Sequence, residues 1–112
     1  MSGSYTIKKA KDGQFYFHLT AKNGEIILTS EMYRQKNSAL SGIQSVQNNC
    51  VINEHFHKVQ ASNEKFYFTL KAANHQVIGQ SQLYTSEQGC EKGIQSVKAN
   101  GPTTIIHDET LN

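Results

Sequence analysis

The sequence predicts an α+β domain made of two tandem repeats that share one core, and three observations carry that prediction. Gly42-Ile43-Gln44-Ser45-Val46 returns 51 residues later as Gly93-Ile94-Gln95-Ser96-Val97. Phe15-Tyr16-Phe17 returns at the same offset as Phe66-Tyr67-Phe68. Between these motifs the hydrophobic period lengthens in each copy from two residues to between three and four, the change from strand to helix. No gap interrupts the correspondence: Leu19 meets Leu70, Ala21 meets Ala72, Asn23 meets Asn74, Ile27 meets Ile78, Ser30 meets Ser81 and Tyr33 meets Tyr84. A unit of about 50 residues buries too little surface to offset the entropy of ordering it. Two such units around a common core is the economical arrangement for a chain of 112 residues.

Tyr5 to Lys9 has good strand formers and opens the chain as a first strand. Asp12-Gly13 is a turn signal. From Gln14 to Ala21 the residues alternate, with Phe15, Phe17 and Leu19 on one face and Tyr16, His18 and Thr20 on the other, which is a half-buried strand. Asn23-Gly24 supplies the positive-φ residues of a tight hairpin, and Glu25 to Ser30 is the return strand. The second copy has His75 where Gly24 stands, so the same turn is expected there with some strain. Ala39, Gly42, Ile43 and Val46 form one helical stripe, and Cys90, Gly93, Ile94 and Val97 form its partner. Gly inside a helix costs about 1 kcal/mol against Ala, so its return on the inward stripe predicts close approach of helix backbone to sheet. Thr85 with Gln88, or alternatively Ser86, caps the second helix, and Gly101-Pro102 ends it. An apolar stretch follows each helix at equivalent positions, His55 to Gln60 and Thr103 to His107. The expected organisation is one domain over 1–112, with repeats at 5–53 and 54–107 and a frayed tail at 108–112.

A formal net charge of +2, with the two signs interspersed, does not by itself imply a nucleic acid or an acidic membrane. No apolar run approaches the roughly 18 residues of a membrane span, and Met1-Ser2-Gly3-Ser4 lacks the pattern of a secretory leader. A cytoplasmic protein is the expectation. Cys50 and Cys90 align with Gly101 and Ala39, which marks them as small buried residues rather than reactive or paired thiols.

The aromatic triplet, the Ala-x-Asn-Gly hairpin, Ser30-Glu31-Met32-Tyr33 and the Gly-Ile-Gln-Ser-Val helix together resemble the bacterial YegP-like family of uncharacterised proteins, also called DUF1508 or UPF0339. The resemblance runs from about Tyr5 to Ile106. It implies tandem β-β-β-α-β repeats forming one antiparallel sheet, with exchanged C-terminal strands and two helices on one face. It also implies a monomer that acts as its own pseudo-dimer. The second copy departs from the first at His75 and at Gly79-Gln80, which stand against Leu28-Thr29. The resemblance brings no reaction, cofactor or partner.

Residue chemistry narrows the function further. His55 and His57 lie two apart on an expected strand, yet no Cys or acid stands at a matching zinc spacing and neither His recurs, so no metal is expected. Ser30 with Ser81, and Ser45 with Ser96, recur without an accompanying His or acid, and Ser45 and Ser96 are expected on the solvated side of their helices. Carboxylates do not recur either, because Glu25 meets Gln76 and Glu31 meets Gln82. No Gly-rich phosphate loop is present, so neither a catalytic site nor a cofactor is expected. Two surfaces remain. A sheet face left open by the helices would carry Tyr16, His18, Tyr67 and Lys71, aromatics beside bases of the kind that stack single-stranded nucleic acid. Gln44 and Gln95 recur on the outer helix faces as contacts for a protein partner. The reading is a non-enzymatic cytoplasmic binding or interaction module; the alternative is a weak single-stranded nucleic-acid binder using the open face.

Overall fold

A computed structural model describes residues 3–110. The elements run β1 (Ser4–Lys9), β2 (Phe15–Thr20), β3 (Ile26–Ser30), α1 (Lys36–Asn49), β4 (Phe56–Gln60), β5 (Phe66–Lys71), β6 (Val77–Gln80), α2 (Glu87–Asn100) and β7 (Ile106–Asp108). The strands form one seven-stranded sheet in the order β4-β5-β6-β3-β2-β1-β7. β4, the first strand of the second repeat, lies beside β5 of that same repeat, and β7, which follows α2, returns to pair with β1 of the first. Neighbours are antiparallel except β1 and β7, which run parallel. The sheet is therefore mixed, where the resemblance implied antiparallel order throughout. The direction of β7 follows from where the chain leaves α2, at the Tyr5 end of β1, with the Tyr5 N–H donating to the Ile105 carbonyl at 2.9 Å.

Register puts both helices on one side. Leu19 opposes Leu28, Ser30 opposes Gly79, and Gly79 also opposes Leu70, so this row crosses four strands on a single face. That face is buried: Tyr5, Ile7, Phe17, Leu19, Phe68 and Leu70 join Ala39, Ile43, Val46, Cys90, Ile94 and Val97 of the helices in one core. A register shift follows Leu19 in the first half and Leu70 in the second. Such a bulge turns two consecutive residues to one side, and Ile27 with Leu28, like Ile78 with Gly79, is buried. The repeated serines complete this frame. Ser30 Oγ accepts the Phe17 N–H and donates to the Glu31 carbonyl, and Ser81 does the same with Phe68 and Gln82.

Local signals are used much as the residue types suggest. Ser86 caps α2, its hydroxyl accepting the Gly89 N–H at 3.0 Å. His75 holds φ +70°, and Glu64 holds φ +65° at the equivalent of Gly13. Gly101 has φ −60°, so it is not a left-handed stop; a Cβ there would lie 2.4 Å from Cys50 Sγ. The stretch from Asp108, expected to fray, is tied in as far as Thr110. Asp108 closes β7 and pairs with Lys36, the Glu109 N–H donates to the Ile7 carbonyl, and the Thr110 N–H donates to Asp108 Oδ1. Residues 111–112 lie outside the described residues.

Candidate functional site

Two clefts open where the helix of one half faces the second hairpin of the other. In the first, α1 presents Ser38, Ser41 and Ser45, spaced by three and four residues so that they share one side of the helix. The chain after β3 adds Glu31 and Tyr33, and the β5–β6 hairpin adds Ala72, Asn74, Gln76, Val77 and Ile78, enclosing about 290 Å³. Tyr33 is fixed by reciprocal backbone hydrogen bonds with Phe15, both 2.7 Å, and its ring stacks on Phe17 at 6.3 Å. Its hydroxyl rests on α1: a Cβ at Gly42 would lie 2.5 Å from it. The repeated helix glycine thus makes room for a repeated tyrosine, not for sheet backbone. Burial, reinforced by Glu31, pushes the Tyr33 phenol up in pKa and keeps it a neutral donor and acceptor. Asn74 Oδ1 accepts the Gln76 N–H and holds the hairpin tip in shape.

The second cleft, about 430 Å³, is lined by Ala21, Lys22, Asn23, Ser96 and Asn100. Ala21, Asn23 and Ser96 are the repeat counterparts of Ala72, Asn74 and Ser45, so the two clefts are related by the pseudo-twofold axis of the chain. Tyr84 repeats Tyr33, stacking on Phe68 at 6.4 Å, and a Cβ at Gly93 would lie 2.3 Å from its hydroxyl. That hydroxyl is buried and has no hydrogen-bond partner among the described residues. The Tyr84 pKa is raised by burial first, with Glu25 among the smaller causes. Acid and amide are exchanged between the halves. Glu31 and Gln76 line the first cleft, and their counterparts around Tyr84 are Gln82 and Glu25.

Ser45 and Ser96, expected on solvated helix faces, are half-buried in these clefts, where each accepts the side-chain amide of an Asn one turn later (Asn49 or Asn100) at 3.2 Å. The clefts escape a reading by residue type, because each is assembled from segments far apart in the chain and lined with ordinary polar residues. The usable signal is the joint return of Ala21, Asn23, Tyr33 and Ser45 in the second copy.

The open face carries the row Thr6–His18–Thr29–Gln80–Thr69–His57 across β1, β2, β3, β6, β5 and β4, with His107 of β7 beside Thr6. Tyr16 and His18 lie together on it, edge to face at 5.8 Å. Burial pushes the His18 pKa down, Lys8 adds to this, and Glu109 opposes it. Tyr67 and Lys71 belong to β5, separated from β2 by the two strands β6 and β3, which is about 14 Å at normal strand spacing. Because β2 and β5 run in opposite directions, Tyr16 and Tyr67 lie toward opposite ends of the sheet; only Tyr16 and His18 are in contact, and Lys71 stands four residues along β5 from Tyr67. Gln44 and Gln95 are both exposed, one on each helix. His55 and His57 do not share a strand face: His55 closes a short 3₁₀ turn at Asn53–His55, and its Nδ1 lies 2.7 Å from Asn49 Oδ1. No cluster of three or more His, Cys, Asp or Glu suited to a metal ion occurs among the described residues. No helix there is long and apolar enough to cross a membrane.

Comparison with known proteins places these features in a wider set. A family model described as "Domain of unknown function (DUF1508)" matches the chain twice, at residues 10–55 and 61–108. A UPF0339 protein of Acinetobacter baylyi is 58% identical over 98% of this chain and 99% of its own length. The UPF0339 protein YegP of Escherichia coli K12 is 54% identical over 98% of this chain and 100% of its own length. The solution NMR structure of the E. coli protein of unknown function yegP covers 100% of this chain and 97% of its own, with a TM-score of 0.95 at 53% identity. That of a UPF0339 protein from Shewanella oneidensis covers 100% and 95%, with a TM-score of 0.94 at 53% identity.

Proposed function

Because the chain belongs to the DUF1508 family, a set of tandem repeats described without an activity, we propose that it works in the cytoplasm as a non-enzymatic binding module whose ligand enters the clefts between its halves. One observation carries this reading. The first cleft takes its serines from α1 and its amides Asn74 and Gln76 from the β5–β6 hairpin, so it exists only when both repeats are assembled. That gives the duplication a use beyond mutual support. The lining holds no His, Lys or Cys beside its hydroxyls, and its one acid, Glu31, has no repeated partner at Gln82. Two free, buried cysteines suit a reducing compartment. The chain is its own pseudo-dimer and works as a monomer. An amide chemical-shift titration of the whole chain with pooled small polar molecules tests the reading. The expected result is concerted movement of Ser41, Ser45, Asn74 and Gln76; movement confined to other surfaces would overturn it.

A second reading rests on the common register of Tyr16, His18, Tyr67 and Lys71, which all lie on the open face. Tyr16 with His18 on β2, and Tyr67 and Lys71 along β5, would each hold part of a single strand. Short single-stranded DNA and RNA, added at low and then moderate salt, should shift β2 and β5 amides with steep salt dependence. Absence of shifts at low salt removes this reading. Protein-partner contact through Gln44 and Gln95 is tested by whether capture on immobilised protein is lost when both are changed.

A further inference from the structure

We propose that the first cleft binds a small organic cation, a short-chain alkylammonium, with its charged end at Glu31 and its alkyl chain on the apolar wall. The inference rests on the cleft being a binding site, and it names the chemistry that the cleft selects.

The lining is decisive about charge. Glu31 is its one acidic residue, and no Lys, Arg or His contributes to the lining. An anion would meet an unbalanced carboxylate there, whereas an ammonium would be compensated. The neutral groups fit the same ligand. An ammonium offers three donors and no acceptor; Ser38, Ser41 and Tyr33 offer hydroxyl oxygens, and Asn74 and Gln76 offer amide oxygens. Ala72, Val77 and Ile78 supply an apolar wall on the side of the second half. A volume of about 290 Å³ is at the lower limit of ligand pockets, which start near roughly 300 Å³, so the occupant is small.

The second cleft is a natural control. It keeps the counterparts of Ser45, Ala72 and Asn74, but Lys22 lines it where the first half-to-half cleft has Ala73 nearby in sequence. At the counterparts of Ser38 and Ser41 the sequence has Gly89 and Lys92. The framework residues Gly93 and Tyr84 are the same as in the first half, while a Cβ at Gly89 would lie 3.3 Å from the capping Ser86 Oγ. The first cleft thus has an acid and no base in its lining, and the second has a base, Lys22, and no acid.

The test uses three probes of one shape and different charge: n-butylammonium, n-butanol and butyrate, each titrated into the full chain and followed by amide shifts. The expected result is saturable movement of Ser38, Ser41, Asn74 and Gln76 with butylammonium, none with butyrate, and none at Asn23 or Ser96 with any probe. Glu31→Gln, which installs the residue already present at position 82, should weaken butylammonium about tenfold and leave the spectrum otherwise folded. Equal shifts from butanol and butylammonium, unchanged in Glu31→Gln, would overturn the cation inference while leaving the cleft as a binding site. No shift at the cleft from any probe would overturn both. Non-saturating shifts scattered over exposed carboxylates would show surface attraction only, and would also overturn the inference.

Discussion

Thr29 and Gln80 stand opposite each other at the join of β3 and β6, and each is the other's counterpart in the repeat. A residue paired with its own counterpart lies on the local twofold axis, so the axis passes through this pair. Positions near such an axis meet their own equivalents, and in a homodimer they would have to fit themselves. Here they fit by being unequal. Leu28 packs over Gly79, its counterpart, and Cys50 packs over Gly101, its counterpart. The large residue of each pair occupies the room left by the small one.

Filling that room should cost stability. A Cβ at Gly79 would lie 2.8 Å from the Thr29 carbonyl and 3.1 Å from Leu28 Cγ. Gly79→Ala is expected to lose about 1–3 kcal/mol, the usual range for overpacking. In the Leu28→Ala background the added loss should be smaller. Urea unfolding of the two single variants and the double variant measures this directly.

Glycine at positions 42 and 93 should resist replacement for a different reason. Helix propensity alone would make Gly42→Ala and Gly93→Ala stabilising by about 1 kcal/mol. Contact with the tyrosine hydroxyls, at 2.5 and 2.3 Å from the added Cβ, reverses the sign. Both variants should unfold at lower urea than the parent, and Gly42→Ala should cost less when Tyr33 is changed to Phe.

The second half carries its turns in a less favourable form than the first. Gly13 and Gly24 hold φ +87° and +89°, where Glu64 and His75 hold +65° and +70°. A left-handed conformation costs a residue with a Cβ roughly 1–2 kcal/mol, partly offset by the greater chain entropy of glycine. Glu64→Gly and His75→Gly should each raise thermal stability, by about 1 kcal/mol or somewhat less.

Acid should weaken the tie between β7 and α1. Hydrogen bonds from Lys36 first, and then from Thr110, lower the Asp108 pKa from 3.8 to about 2. A carboxyl with a depressed folded pKa contributes stability that is present above its unfolded value and is lost as pH falls through the folded one. Asp108→Asn should therefore be less stable than the parent at pH 7. The difference should shrink between about pH 4 and pH 2 and vanish below. Unfolding midpoints across that range check the sign.

Much of this architecture was legible before any coordinates, because a gapless repeat constrains two halves at once. Phe17 and Leu19 inward, Tyr16 and His18 outward, and the stripe of Ala39, Gly42, Ile43 and Val46 all follow from period alone. Pairing across the halves does not. Nothing in residues 103–108 says that they will lie parallel to β1, since that depends on where α2 releases the chain. Gly42 was readable as a site of close approach to the sheet, where the Phe17 ring of β2 does lie against it; the nearer neighbour, the Tyr33 hydroxyl nine residues earlier in the chain, was not readable. The clefts were least visible, since serine, asparagine and glutamine carry no spacing rule until the fold brings them together.

The two repeats form one cooperative unit, joined at Thr29 and Gln80 and enclosing their clefts between them. Native-state hydrogen exchange across a urea series tests it most directly. Core amides of both halves, Phe17 and Leu19 with Phe68 and Leu70, should exchange at one common free energy with one urea dependence. Two groups of amides, divided between the halves and exchanging at separate free energies, would contradict it.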